Sequence, residues 1–290
     1  PLVLHDQDLD SIILEKLKLP DINIHLDDWK RLVEQIKNPT STVKIAVCGK
    51  YVENKDAYKS IVEAFVHAGA ENNVKVKADF ISSEDIEEKG AESILKDYDG
   101  LLIPGGFGER GIEGKIQAIT YARENNIPFF GICLGMQCAV IEFARNICGI
   151  KKASSAEFTK NNNFNVIHIM PDQIKVKVKG ASMRLGAYPC VIQKKTKSFD
   201  AYKKQKISER HRHRYEVNNK YREVLEKNGM VISGLSPDEK LVEMIELSNH
   251  PWFVGCQFHP ELKSRATNAH PLFREFVKAA FEYTLRKNPN

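Results

Sequence analysis

The sequence predicts an α/β fold: a central, mostly parallel sheet flanked by helices, with additional antiparallel strands in the C-terminal half. Three observations carry this. From Val43 to about Arg145, strand and helix patterns alternate with connections of only a few residues, the pattern of βαβ units. Two of the strands, "GLLIPGG" (100–106) and "IPFFGIC" (127–133), are near-continuous apolar runs, as expected where both faces of a sheet are covered. Beyond about residue 165, strand candidates follow one another with turns between them, which suits antiparallel pairing.

The elements follow in order. "LDSIILEKLKL" (9–19) and "LDDWKRLVEQIKN" (26–38) carry apolar residues three and four apart, so both read as helices, separated by Pro20. Asn38 to Thr42 reads as a linker. "VKIAVCGKY" is a short apolar strand, and Asp56 is placed to cap a helix over "AYKSIVEAFVHAGA". "VKVKADFI" alternates apolar and basic residues as a strand does, and "SSEDIEEKGAESILKDY" reads as a charged helix after a serine start. "GIEGKIQAITYARENN" is a helix between the two apolar strands, and another opens at Leu134. The later strand candidates are "NVIHIMP", "QIKVKVK", "YPCVIQ", "MVISGLS", "KLVEMIEL" and "WFVGCQF", and "HPLFREFVKAAFEYTLRK" closes the chain as an amphipathic helix. "KKTKSFDAYKKQK" (194–206), polar and basic, reads as a mobile loop.

Composition narrows the class. With 42% hydrophobic and 28% charged residues over 290 positions, the chain matches an ordinary soluble protein with room for a large core. No apolar run approaches the roughly 20 residues that span a bilayer, so no membrane segment is expected. The absence of a start Met and of a signal peptide predicts a piece of a longer chain. The six cysteines are scattered, without C-x-x-C pairs, which predicts reduced thiols, a cytoplasmic setting and no metal site. A net charge of +5 suits a solvated surface or an anionic small molecule. Without interleaved aromatics, no nucleic-acid partner is expected.

Three motifs carry chemistry. Gly131, Cys133 and Gly135 form G-x-C-x-G at a strand-to-helix turn, the cysteine counterpart of a nucleophile elbow. A helix N-terminus beside the sulfur favours thiolate, although the motif alone also suits a buried structural thiol. Gly105 and Gly106 follow an apolar strand at the same sheet edge, and the Gly106 and Leu134 N–H groups can together face an oxyanion. In "CQFHPEL", Pro260 keeps His259 extended, which puts His259 and Glu261 on one face. Cys133, His259 and Glu261 then suit nucleophile, general acid/base and orienting carboxylate. No G-x-x-x-x-G-K-[ST] phosphate loop occurs. Read alone, Glu157 is a solvated loop carboxylate, Arg184 a loop charge, and His211 to Arg214 a basic surface patch.

P-G-G, G-x-C-x-G and H-P-E in this order resemble the class I glutamine amidotransferases, over roughly Val43 to Arg286. "GKYVENKDAYKSIVEA", "PGGFGERGIEGK", "MRLG", "ERHRHRYEVNN" and "NHPWFVGCQFHPE" resemble, within that class, the glutaminase half of the CTP synthases. The resemblance implies a flavodoxin-like amidotransferase fold over 43–290, with 1–42 as a helical interdomain linker and the end of a preceding synthetase domain. It implies hydrolysis of L-glutamine to glutamate and ammonia through a Cys133 thioester, the ammonia serving ATP-dependent amination of UTP to CTP. It implies substrate contacts from Gly106, Phe107, Leu134, Gln137, Glu157 and Arg214. It implies ATP, UTP and Mg2+ in the synthetase half, GTP as activator, a lid near Met183 to Gly186, no cofactor in this domain, and a homotetrameric full-length enzyme. Two other readings stand beside it. One is another Cys-His-Glu hydrolase of the same fold, such as a γ-glutamyl peptidase. The other is a noncatalytic interaction domain, which loss of a triad member would have favoured.

Overall fold

The computed structural model describes residues 1–20, 22, 24–50, 55–159, 162–169 and 183–287. The strands are β1 Ser41–Gly49, β2 Val74–Ser82, β3 Gly100–Ile103, β4 Phe129–Ile132, β5 Ser154–Ser155, β6 Asn165–Ile169, β7 Arg184–Ile192, β8 Lys206–His213, β9 Tyr215–Val217, β10 Met230–Leu235, β11 Val242–Leu247 and β12 Phe253–Cys256. The helices are α1 Leu2–His5, α2 Leu9–Lys16, α3 Asp27–Lys37, α4 Lys59–Glu71, α5 Ser83–Lys89, α6 Ala91–Leu95, α7 Ile112–Glu124, α8 Leu134–Asn146, α9 Lys197–Tyr202, α10 Arg222–Lys227 and α11 Pro271–Lys287.

Nine strands form one sheet in the order β2-β1-β3-β4-β12-β11-β10-β7-β8, and β5-β6-β9 form a small second sheet. From β2 to β12 every pairing is parallel; from β12 to β8 every pairing is antiparallel. β3, β4 and β12 read as uninterrupted apolar runs because successive residues enter two different cores, whereas β1 carries exposed Lys44 and the edge strand β2 keeps its alternation. Val43, Ile45, Val47, Leu102, Phe130 and Ile132 face one core; Ala46, Cys48, Leu101, Ile103 and Phe129 face the other. α4 and α11 close the first core, where Phe273 meets Phe65 and Phe130 edge-on with ring centroids 5.4 and 5.3 Å apart. α7 and α8 close the second.

β12 lies far from β4 in sequence yet pairs beside it, Phe253 opposite Phe129 and Cys256 opposite Ile132. That pairing brings the segment after β12 next to Cys133. The close approach of α8 to the sheet depends on Gly135: a Cβ there would sit 2.1 Å from the Ile103 carbonyl oxygen of β3.

Several elements differ from expectation. β1 starts at Ser41, two residues before the apolar run, because Thr40 already bonds the Asn73 carbonyl through its N–H and hydroxyl. Asp56 does not cap α4; it lies in a 3-10 turn over Lys55–Tyr58, and the N-cap position is Tyr58, with no side-chain cap. The charged helix after Ser82 is two helices, broken at Gly90, whose φ of +81° no helix tolerates. The tract 194–206 is not a loop throughout, since it contains α9. Thr196 caps it, and Ser198 is fully buried. β8 and β9 were not anticipated. The candidate "QIKVKVK" lies outside the described residues, as do Tyr51 to Asn54.

Candidate active site

The carboxyl edge of the parallel strands gathers the predicted residues. Cys133 directly follows β4 and is the N-cap position of α8. Its backbone sits at φ 52°, ψ −101°, outside the favoured wells of a non-glycine residue, a strain of order 1–3 kcal/mol that the fold sustains. Cys133 N–H donates to the Cys256 carbonyl at 2.7 Å, and its own carbonyl accepts from Gln137 N–H at 3.1 Å. The turn is thus held from β12 and from α8, with the side chain at the helix N-terminus.

His259 reaches the same point from β12. His259 Nδ1 and Glu261 Oε1 are 2.7 Å apart. They do not meet as two residues of an extended strand. Pro260 opens a 3-10 turn over Pro260–Leu262, and the turn folds Glu261 back beneath the imidazole. Proline's fixed φ and missing N–H suit a turn start as well as an extended chain. The imidazole Nε2 is buried without a well-aligned hydrogen-bond partner. Burial would push this ring's pKa down, but hydrogen bonding to Cys133 and Glu261, with their charges, outweighs it and holds the value at about 10. The ring is therefore poised to carry a proton.

The glycine loop after β3 forms the opposite wall. A Cβ on Gly105 would come within 2.8 Å of His259 Cε1 and 3.6 Å of Cys133 Cβ, and one on Gly106 within 3.2 Å of Leu134 Cδ2. Only bare backbone fits against both side chains at Gly105. Phe107, half exposed, accepts a bond from Lys50 Nζ through its carbonyl at 3.2 Å. A cavity of about 280 Å³ opens here, lined among others by Tyr58, Gly106, Phe107, Cys133, Arg212 and His259.

The remaining predicted residues lie around Tyr215. Gln137, in the first turn of α8, donates from Nε2 to the Tyr215 carbonyl at 3.1 Å. Arg214, between β8 and β9, is partly exposed, yet its Nε and Nη2 are buried without hydrogen-bond partners. Glu157 Oε1 accepts from Gly108 N–H at 2.8 Å, and burial raises the pKa of its carboxyl. Glu157 and Arg214 both act on the Tyr215 hydroxyl, whose pKa burial raises most, Glu157 raises further and Arg214 offsets. An anion and a cation thus face one region. Glu157 is not a solvated loop carboxylate.

Arg184 is no loop charge either. It is buried in β7, with Nη1 2.6 Å from Glu243 Oε1 and its guanidinium stacked 4.5 Å over the Tyr188 ring. The basic patch at 211–214 likewise divides. His211 and His213 point inward on β8 and are buried, and burial pushes their pKa values down to about 2 and 3. Arg212 points to the cavity. One residue without an expected role reaches the Cys133 sulfur: buried Gln257, whose Nε2 donates to Cys133 Sγ at 3.5 Å. Its place in "CQFHPEL", two residues before His259, is the only sequence signal for it.

Among the described residues, no group of three or more His, Cys, Asp or Glu could hold a metal ion, and no helix is long and apolar enough to cross a membrane.

The family model for glutamine amidotransferase class-I matches residues 54–279. A CTP synthase of Chlorobium phaeobacteroides (strain BS1) is 58% identical over 284 residues, covering 97% of this chain and 50% of that protein. One of Caldanaerobacter subterraneus subsp. tengcongensis is 54% identical over 279 residues, covering 96% and 52%. The chain thus spans about half the length of the curated relatives it matches. A solved Trypanosoma brucei CTPS glutaminase domain with bound acivicin superposes with a TM-score of 0.77 at 39% identity, over 83% of this chain and 94% of that one. With that domain matched almost end to end, the chain belongs to the class I glutamine amidotransferases, among the glutaminase domains of CTP synthases.

Proposed function

We propose that the chain hydrolyses L-glutamine to glutamate and ammonia, with Cys133 as nucleophile, His259 as proton carrier and Glu261 as orienter of the imidazole. The observation that carries this reading is the strained Cys133 at the start of α8, walled by Gly105 and by a His259 whose other ring nitrogen lies 2.7 Å from Glu261. The Cys133 thiolate attacks the side-chain amide carbon, and the Gly106 and Leu134 N–H groups stabilise the oxyanion. Each such donor is worth ~3 kcal/mol of barrier. Protonated His259 gives its proton to the departing nitrogen, and ammonia leaves as the γ-glutamyl thioester forms. The neutral imidazole then takes a proton from water, whose oxygen attacks the thioester; glutamate and the thiolate–imidazolium pair result.

The substrate's two charged ends have matching partners. Arg214 has unpartnered buried nitrogens for the α-carboxylate. Glu157 suits the α-ammonium group. Both Gln137 Nε2 bonds go to protein oxygens, which leaves Gln137 Oε1 to accept from the same ammonium. Phe107 and Leu134 complete the seat. The ammonia would serve amination of UTP to CTP in a synthetase half carrying the ATP, UTP and Mg2+ sites, in a homotetramer. GTP would act as activator near Met183 to Gly186. Arg184 would contribute there by shape, since Glu243 already holds its guanidinium.

An electrophilic glutamine analogue tests the reading. Mass spectrometry is expected to find the adduct on Cys133 alone of the six cysteines, and Cys133→Ala to abolish glutaminase activity. Retained activity in Cys133→Ala would sink the proposal. Faster hydrolysis of γ-glutamyl peptides than of free glutamine would favour a γ-glutamyl peptidase instead.

A further inference from the structure

We infer that Gln257 is a working part of the nucleophile: it holds an N–H donor on the Cys133 sulfur, in an orientation locked by Gln137 and the Tyr215 carbonyl, and so favours and aims the thiolate. This rests on the reading of Cys133 as nucleophile.

Which end of each amide faces which neighbour decides what the sulfur meets. Heavy-atom positions leave the oxygen and nitrogen of a glutamine side chain to be assigned from the hydrogen-bond network. Here the network has a fixed end. The Tyr215 carbonyl can only accept, and it accepts from Gln137 at 3.1 Å and from His213 Nδ1 at 3.0 Å. Gln137 must therefore turn its NH2 group toward Tyr215. The same nitrogen lies 3.1 Å from the Gln257 side chain, so the Gln257 atom facing it must be the oxygen. That leaves the Gln257 NH2 on Cys133 Sγ, at 3.5 Å. Flipping Gln257 would set two NH2 groups against each other and aim a carbonyl oxygen at the sulfur.

Backbone contacts hold the two residues side by side. Gln257 N–H donates to the Glu243 carbonyl at 2.8 Å, and Cys133 N–H to the carbonyl of the preceding Cys256 at 2.7 Å. Gln257 is 1% exposed and Cys133 4%, so little water reaches the sulfur on this side and the amide donor replaces it. A hydrogen bond to an ionised acceptor is stronger than one to a neutral one, and a thioester sulfur is a poor acceptor. The donor thus stabilises the thiolate before attack and again as the thioester breaks and sulfur departs with its electron pair. A glutamine that merely fills space would do neither.

The test measures the rate of Cys133 alkylation by iodoacetamide against pH in the 290-residue chain, read by peptide mass spectrometry. It compares the parent with Gln257→Leu, Gln257→Met and Gln257→Glu, each checked for folding by circular dichroism. In the Leu and Met variants the midpoint of the rate rise is expected to move up by about one pH unit. Glu, ionised beside the sulfur, moves it further. Turnover of glutamine falls about tenfold, by the same increment, with little change in KM. An unmoved midpoint in any folded variant overturns the inference, and so does failure of all three to fold, which assigns Gln257 to packing. A Cys133→Ala variant that still turns over glutamine overturns the glutaminase reading itself; an inactive one with unmoved Gln257 midpoints overturns only this assignment.

Discussion

At the scale of single residues, the proposed chemistry rests most on His259. Its ring is largely buried, which alone would disfavour the charged form, yet Cys133 and Glu261 hold its pKa up at about 10. The ordinary value is 6.5, so the folded state binds this proton more tightly than the unfolded chain. The stabilisation is complete below pH 6.5 and is lost as pH rises through about 10. Glu261→Gln removes one of the two supports. The His259 ring, followed by NMR, should then titrate lower than in the parent, and the variant should be less stable at pH 7 by a margin that shrinks above pH 10. Turnover should fall by on the order of 10⁴-fold, as when a triad loses its carboxylate. A ring that titrates unchanged in Glu261→Gln would show that the 2.7 Å contact does not govern it.

At the scale of elements, the sequence was most legible where local pattern and tertiary role coincide. β3 and β4 are apolar throughout because both faces are covered, β1 is so from Ile45 on, and the residues that follow the three strands stand at one sheet edge. β8 was hidden because its inward positions are Glu209, His211 and His213. Alternation is present, but the inward residues are polar: Glu209 meets Tyr202 and His270, His211 faces Arg184, and His213 bonds His211 and the Tyr215 carbonyl. The pairing of His259 with Glu261 was expected, while the turn that makes it was not, since proline suits either geometry. α9 was hidden for a related reason. Its first N–H groups donate to the Glu246 carboxylate of β11, Lys197 N at 2.8 Å and Ser198 N at 3.0 Å, and the Ser198 hydroxyl bonds it at 2.8 Å. Thr196 is a local cap signal, but the carboxylate that anchors the first turn lies some fifty residues away and leaves none. Ser198→Ala should therefore cost ~1–3 kcal/mol and lower Tm by several degrees. Hydrogen exchange at 197–202 should accelerate while labelling of Cys133 is unaffected; a melting curve identical to the parent's would count against this anchor.

At the scale of the whole molecule, the question is where the independently folding body begins. The sequence suggested residue 43, where the apolar strand pattern starts. The structure gives reason to move that point toward Asp27. α1 and α2 have no buried residue, and Val3, Leu4, Ile12 and Leu17 are exposed, so their removal takes nothing from either core. α3 differs: Leu32 is buried, and the helix lies against α4. Thr40 binds the Asn73 carbonyl twice, and Ser41 and Thr42 pair with Val74 and Lys75 at the start of the parallel sheet. Burying one leucine contributes ~1.5–3 kcal/mol, and each hydrogen bond adds ~1 kcal/mol. A chain of residues 27–290 should therefore melt within about 1 °C of the parent. A chain of residues 43–290 should melt lower by roughly 7–20 °C, since each kcal/mol shifts Tm by ~2–4 °C in a body of this size. Because the carboxyl edge lies at the other end of β1, the shorter chain should still take a glutamine-analogue label on Cys133 at temperatures where it is folded. Equal melting of the two truncations would place the boundary at residue 43 after all; loss of stability already in 27–290 would mean that α1 and α2 support the domain through contacts other than burial.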